Sequence, residues 1–419
     1  MTTDKLVEHF FRHEYARLVA VLSRRVGVQH LEAVEDAVQS ALMRALETWT
    51  RTGVPDNPSA WVFQVANNNL IGALRQHTGR AQLLSKYAGD VPVAQEQVPT
   101  CYMPGEVRDD LLRMLLVCCD EAVPAESRLV LALKTLCGFS AREIGIRLFI
   151  SEANVYKRLA RARNKLRQHC GHFGELSHEQ FESRIPDVNR VLYLLFTEGY
   201  LSSHAETPIR RELCDEAIRL AGILAAHPVG QAPETCALLA LMHLHRARLS
   251  ARQNDAGGLL LLEEQDRHQW DRRAIGLGLE WLATSAHGRV FSRYHAEAGI
   301  AAEHCLAPSF DRTRWDRVAA YYALLEQIAP SALHKLNRAV AVAEWQGPAA
   351  GLEVLDSFEP PTWLIGSYLW TAVLADLHRR CGNTDTAGCY RGQALQSAPT
   401  PAIRELLERR LQSGEPRRP

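Results

Sequence analysis

Apolar residues recur along this chain in steps of three and four, and convincing strand-length alternation of apolar and polar positions is absent. Such spacing gathers the apolar side chains on one face of a helix. It predicts helices over residues 5–25, 31–49, 58–76, 109–117, 125–135, 141–148 and 152–168. Between the second and third lies the turn-rich stretch TRTGVPDNP, ending at Pro58. There a proline opens a helix at no cost, because its first-turn N–H would have no helical partner. Three regions follow: 3–79, 107–170 and 177–411, with a linker over 80–106 whose VPVAQEQVPTCYMPGE is the least periodic part. The expected fold class is all-α.

The third region reads as stacked helix pairs. One hairpin, 336–358, turns at Gly347-Pro348. A later one sets Leu374, Gly382, Ala387, Ala394 and Pro399 at spacings that suit a tetratricopeptide-like unit. The period is loose, so helical repeats are expected without a fixed count. The tail SGEPRRP is expected to fray.

Chemistry concentrates in FSAREIGIRLFISEANVYKRLARARNKLR. Ser140 can cap a helix, and Glu143 three residues on completes a capping box. Ile144 and Leu148 share one face. After the short Phe149-Ile150 turn and a second cap at Ser151, Val155, Leu159, Ala162 and Leu166 form an apolar stripe. Two capped helices joined by a short turn make a helix-turn-helix. The outward face then carries Ser151, Glu152, Ala153, Asn154, Lys157, Arg158 and Arg161, early in the second helix, where side chains reach base edges. Arg and Lys suit guanine, and Asn suits adenine. Arg163, Lys165 and Arg167 come later and suit phosphates.

Net charge is zero over 419 residues, which alone argues against nucleic acid. Its distribution reverses that reading. Residues 1–170 hold 22 Lys and Arg against 18 Asp and Glu, and 151–169 alone hold six against one. The ten cysteines form no CxxC and no disulfide-like framework, so a reduced, cytoplasmic chain is expected. The opening MTTDKLVEHFFRHEYARL has charges throughout and no signal core, and no apolar run is long enough to span a bilayer. No membrane partner is expected. Zinc-protease, phosphate-loop and dinucleotide fingerprints are missing, so neither metal nor cofactor is expected, nor catalysis.

Residues 5–76 and 109–168 together resemble the two conserved domains of extracytoplasmic-function sigma factors, the smallest members of the sigma-70 class. VEDAVQSALMRALETW resembles their polymerase-docking helix. PSAWVFQVANNNLIGALRQ resembles the helix that melts and captures the minus-ten element, and the helix-turn-helix resembles the minus-thirty-five reader. The resemblance implies a core-polymerase contact at Glu35, Asp36, Gln39, Ser40, Met43 and Arg44. It implies minus-ten contacts at Trp61, Asn67, Asn68 and Arg75. Trp61 is expected to be mostly packed, with the loop 51–57 walling a pocket for a flipped base. Two departures stand out: Phe149 replaces a small turn residue, and the melting helix is poor in Arg.

The extension beyond residue 170 resembles one found in a subgroup of these factors, through VLYLLFTEGY, RELCDEAIRLA, LLLLEEQDRHQWDRRAI, LNRAVAVAEWQGPAAGLEVLD and AIRELLERRL. It implies two small sigma domains, the second a helix-turn-helix, followed by a helical-repeat domain that regulates them. Expected partners are core RNA polymerase, promoter duplex, the separated non-template strand, and a protein on the repeats. Glu198, Gln265, Asp266 and Arg267 are candidates for contact between extension and sigma domains, since buried charges need partners. The alternative is a conventional helix-turn-helix regulator with a helical sensor domain. Such a regulator has no use for the docking and melting helices.

Overall fold

The structure, a computed structural model, describes residues 3–85, 109–169, 176–202, 208–254, 257–288, 290–356 and 358–411. Residues 86–108, which take in most of the expected linker 80–106, and the tail from 412 lie outside these. Among the described residues the chain is helical, with one isolated bridge between Gln253 and Leu259. No described helix is long and apolar enough to cross a membrane. The eight described cysteines are free thiols.

Seven helices build most of the first compact unit, which takes Met1–Leu195 and residues 226–230. They are α1 (Thr3–Val26), α2 (Leu31–Thr52), α3 (Pro58–Ser85), α4 (Asp110–Cys118), α5 (Ala125–Thr135), α6 (Ala141–Leu148) and α7 (Glu152–His169). Helix α3 runs nine residues past its expected end at Gln76, through Gly79. Local chemistry sets the other boundaries. Gly53, at φ 82°, ends α2, and Asp109 caps α4 by accepting from Leu112 N–H at 2.9 Å. Leu22, Leu70, Leu112, Met114, Leu131, Phe139 and Leu166 are buried in the unit's interior.

The sequence places a linker between 3–79 and 107–170, and in the structure both stretches belong to this one unit. Helix α1 packs on α4, and α7 packs on the Val28–His30 turn before α2. Helix α8 (His178–Tyr200) adds to the same unit through its first turns. Arg184 bonds the Leu116 carbonyl at 3.1 Å and pairs with Asp120, while Arg128 meets Asp187 at 2.7 Å.

The second unit takes residues 196–225 and 231–419. It holds α9 (Arg211–Ala226), α10 (Pro233–Arg246), α11 (Arg272–Ser285), α12 (Arg293–Leu306), α13 (Trp315–Ile328), α14 (Ala332–Gln346) and α15 (Pro348–Asp356). It continues through α16 (Thr362–Ile365), α17 (Tyr368–Arg380), α18 (Thr384–Gln396) and α19 (Pro401–Arg410). Consecutive helices pair: α10 with α11, α13 with α14, α14 with α15, and α17 with α18. Both expected hairpins form. Gly347 at φ 99° turns the first, and Gly382 at φ 82° turns the second. Gly351 lets α15 press on α14, since a Cβ there would meet Ala343 Cβ at 2.7 Å.

Between α10 and α11 the chain runs as a strap, stitched down by guanidinium groups that cap helix ends. Arg252 bonds the Tyr200 carbonyl, and Arg267 bonds the carbonyls of His304 and Ala307 at 2.6 and 2.9 Å. Arg409 reaches back to the Leu259 carbonyl. Cations suit helix C-termini, where unpaired carbonyls gather.

Candidate nucleic-acid interface

The helix-turn-helix forms as its caps require. Ser140 Oγ accepts from Glu143 N–H at 3.1 Å, and Ser140 N–H donates to the Glu143 carboxylate at 2.6 Å. Asn154 N–H donates to Ser151 Oγ at 3.3 Å, starting α7. Phe149 joins the helices in the left-handed region at φ 54°, the only non-glycine residue with positive φ among those described. Gly145 carries the close approach that sequence reading missed. A Cβ at this position would sit 2.7 Å from the Ile150 carbonyl oxygen. Gly145→Ala is therefore expected to lower stability by about 1–3 kcal/mol through overpacking. Thermal unfolding of the full chain measures it.

Val155, Leu159, Ala162 and Leu166 bury inward, each at most 5% exposed. Ser151, Glu152, Ala153, Lys157 and Arg161 are exposed, and Asn154 and Arg158 half-buried. Two of the cations already have a partner: Glu126 on α5 meets Arg158 at 3.2 Å and Arg161 at 2.6 Å. Pairs this exposed hold by only about 0–1 kcal/mol, so a phosphate can displace them.

On α2, Asp36, Gln39, Ser40, Met43 and Arg44 stand exposed along one face, with Met43 61% exposed. Glu35 departs from that face and corrects the expectation for it. Its carboxylate is buried, accepts from Thr135 Oγ1 at 2.9 Å and pairs with Arg163 of α7. Burial pushes its pKa above the usual carboxylate value, opposed by Arg163 and Thr135. Arg167–Glu32 at 2.9 Å and Arg24–Asp110 at 2.9 Å flank this contact.

Along α3, Trp61 is half-buried, with its ring 5.6 Å from that of Trp49. Asn68 and Arg75 are exposed. Asn67 accepts from Arg25 at 3.4 Å and lines a cavity of about 740 Å³ with Asn57, Ser59, Phe63 and Gln64. Glu14, bonded by Ser59 at 2.9 Å, lies in the same wall. Of the 51–57 loop, Asn57 reaches this cavity and also caps α3 through Ala60 N–H at 3.0 Å. Glu14 and Ser59 carried no signal in the sequence, because α1 and α3 meet only in the fold; Phe63 reads there as a core or base-stacking aromatic.

Partners of the four extension candidates lie inside the second unit. Glu198 bonds Ser202 and Arg210 at 2.7 and 3.4 Å, and Gln265 bonds Arg248 at 3.3 Å. Asp266 caps the Arg267–Gln269 turn through His268 N–H at 2.9 Å, and Arg267 caps α12. These contacts lock the helices of that unit together. No cluster of metal-ligating side chains occurs among the described residues.

Comparison with known families matches residues 10–80 to Sigma-70 region 2 and residues 113–166 to Sigma-70 region 4. The chain belongs to the sigma-70 family. Residues 184–286 of this sigma factor match DUF6596, a family of unknown function. It is 27% identical over 183 residues to "Probable RNA polymerase sigma factor RfaY" of Xanthomonas campestris pv. campestris, covering 40% of this chain and 44% of that protein. It is also 33% identical over 329 residues, 78% of each chain, to "Uncharacterized protein R00370" of Rhizobium meliloti (strain 1021). No solved structure matches it. The two sigma regions give it RNA polymerase sigma factor function, with core polymerase and promoter DNA as partners, and coincide with the two halves of the first unit.

Proposed function

We propose that α2 docks the sigma factor on core polymerase through Asp36, Gln39, Ser40, Met43 and Arg44, while α7 reads the upstream element. Asn154, Lys157, Arg158 and Arg161 reach the major groove in this reading. Asn67, Asn68 and Arg75 of α3 take the separated non-template strand, with a flipped base in the cavity beside Asn67. The protein supplies no chemistry to the nucleotides here; polymerase does that work. The observation that carries the reading is the inward burial of Val155, Leu159 and Leu166, which leaves the polar face of α7 outward. The helical extension regulates the two sigma regions, and a protein partner on its repeats fits that role.

Initiation then requires an opening. The two promoter elements lie about 25 base pairs apart, roughly 85 Å of duplex at 3.4 Å per pair. A compact unit of about 200 residues is only ~40 Å across. The two sigma regions cannot hold both elements while packed together, so the contacts at Glu35, Glu32 and Asp110 must break.

Met43→Glu puts a charge in the centre of the docking face and is expected to weaken polymerase binding by about tenfold or more, while leaving the fold intact. Pull-down of core polymerase by the full chain measures it. Wild-type retention by the variant would move the docking face elsewhere.

A further inference from the structure

The second unit contains a cavity of about 520 Å³ that promoter reading does not use, bounded by α12, α13, α14, α17, α19 and the strap. Its size suits a small molecule. One wall is aromatic. Trp315 stands between His304 and Phe310, with ring centroids 5.3 and 5.0 Å away, and Val318 and Tyr322 continue the surface. The His304 ring is neutral, its pKa pushed down to about 3 by burial and by Arg248 and Arg267. The wall thus offers flat, uncharged surface to an apolar body.

Another part of the lining gathers guanidinium groups. Asp376, itself only 8% exposed, is shared by three guanidinium groups: Arg379 at 2.8 Å, Arg380 at 3.6 Å and Arg410 at 3.9 Å. Arg380 also pairs with Glu344 at 2.5 Å. Across the lining, Arg379, Arg380, Arg409 and Arg410 stand against Glu263, Glu264, Glu344 and Asp376, so the charges balance and the anion site rests on where the guanidinium groups converge. Arg410 has reach to spare, because 3.9 Å is too long for a hydrogen bond. Arg379 Nε is buried without a hydrogen-bond partner. Glu263 and Glu264 lie on the strap, and Arg409 takes up Glu264 at 3.3 Å.

We propose that this cavity binds a small organic anion, with one carboxylate on Arg379 and Arg410 and an aromatic or branched apolar body against Trp315. A carboxylate supplies the paired acceptors that a guanidinium fork takes. A peptide or nucleic acid would need a longer groove than this bounded cavity gives. The binding is independent of promoter reading, since it involves neither α2, α3 nor α7.

Calorimetry on the full chain tests it, using indole-3-propionate and 4-phenylbutyrate as probes. Their uncharged amides and the cation tryptamine are the controls. At least one carboxylate is expected to bind saturably, with its amide at least tenfold weaker and tryptamine weaker still. Arg410→Gln and Trp315→Leu are each expected to weaken binding about tenfold, with circular dichroism unchanged. Arg379→Gln is the second anion-wall variant if Arg410→Gln fails to fold. The proposal is overturned if neither carboxylate saturates, if amide or tryptamine binds as tightly, or if the variants bind as wild type. Transcription is not part of the readout, so this result and the sigma assignment stand or fall separately.

Discussion

Replacing Asn154, Lys157 and Arg161 together by alanine is expected to abolish selective binding to the upstream promoter element while leaving the fold and polymerase binding intact. Each lost base contact costs about 1–3 kcal/mol of discrimination, so even two reduce specific affinity by about thirtyfold or more. Each lost phosphate contact also flattens the dependence of affinity on salt by about 0.9 in the log–log slope. The stripe beneath is untouched, because Val155, Leu159 and Leu166 face the other way. Glu126→Gln is the counter-variant. It releases Arg158 and Arg161 from their ion pairs and should tighten DNA binding by about threefold, the scale of an exposed pair. Fluorescence anisotropy with selected and scrambled duplexes, over a salt series, measures both. Undiminished selectivity in the triple variant would place base reading outside α7.

Thr135→Val is expected to speed open-complex formation by about tenfold. Thr135 is fully buried and donates to Glu35, whose carboxylate otherwise has Arg163 as its described partner. Valine keeps the volume and removes the donor. An underpaired buried carboxylate costs about 1–3 kcal/mol, and that cost falls on the packed arrangement of the two sigma regions. Once they part, Glu35 meets water. Asp110→Asn breaks the Arg24 contact on the other side of the interface and should act in the same direction, more weakly, since that pair is partly exposed. Neither residue lies on the docking face or on the reading face of α7. Single-round kinetics with core polymerase measures the rate, and hydrogen exchange across α2 and α7 reports the opening itself. An unchanged rate in both folded variants would mean that the packed arrangement is not on the route to initiation.

Local signals and tertiary contacts divided the legibility of this molecule. Helices α5 and α6 fall on the residues that periodicity and caps predict, because Ser140, Glu143 and the apolar stripe act within a few residues of one another. The hairpins at Gly347 and Gly382 were legible for the same reason. Glu35 was not. Its environment comes from Thr135 and Arg163, 100 and 128 residues away, and helical spacing alone cannot say which polar residue beside an exposed face turns inward. Helix α3 outran its expected end because Gly79 reads as a stop but costs a helix only about 1 kcal/mol. The two cavities were invisible in the sequence, since their walls join helices distant along the chain. Arg267 illustrates the middle case. Its need for a buried partner was evident, and the fold supplies it with the end of α12.

Run-off transcription tests the central claim most directly. The full chain is combined with core polymerase on fragmented genomic DNA from the organism that encodes it, beside the Asn154, Lys157 and Arg161 triple variant. Discrete transcripts that appear only with the wild-type chain are the expected result. Transcripts that are absent with both chains, or identical with both, contradict promoter selection by α7.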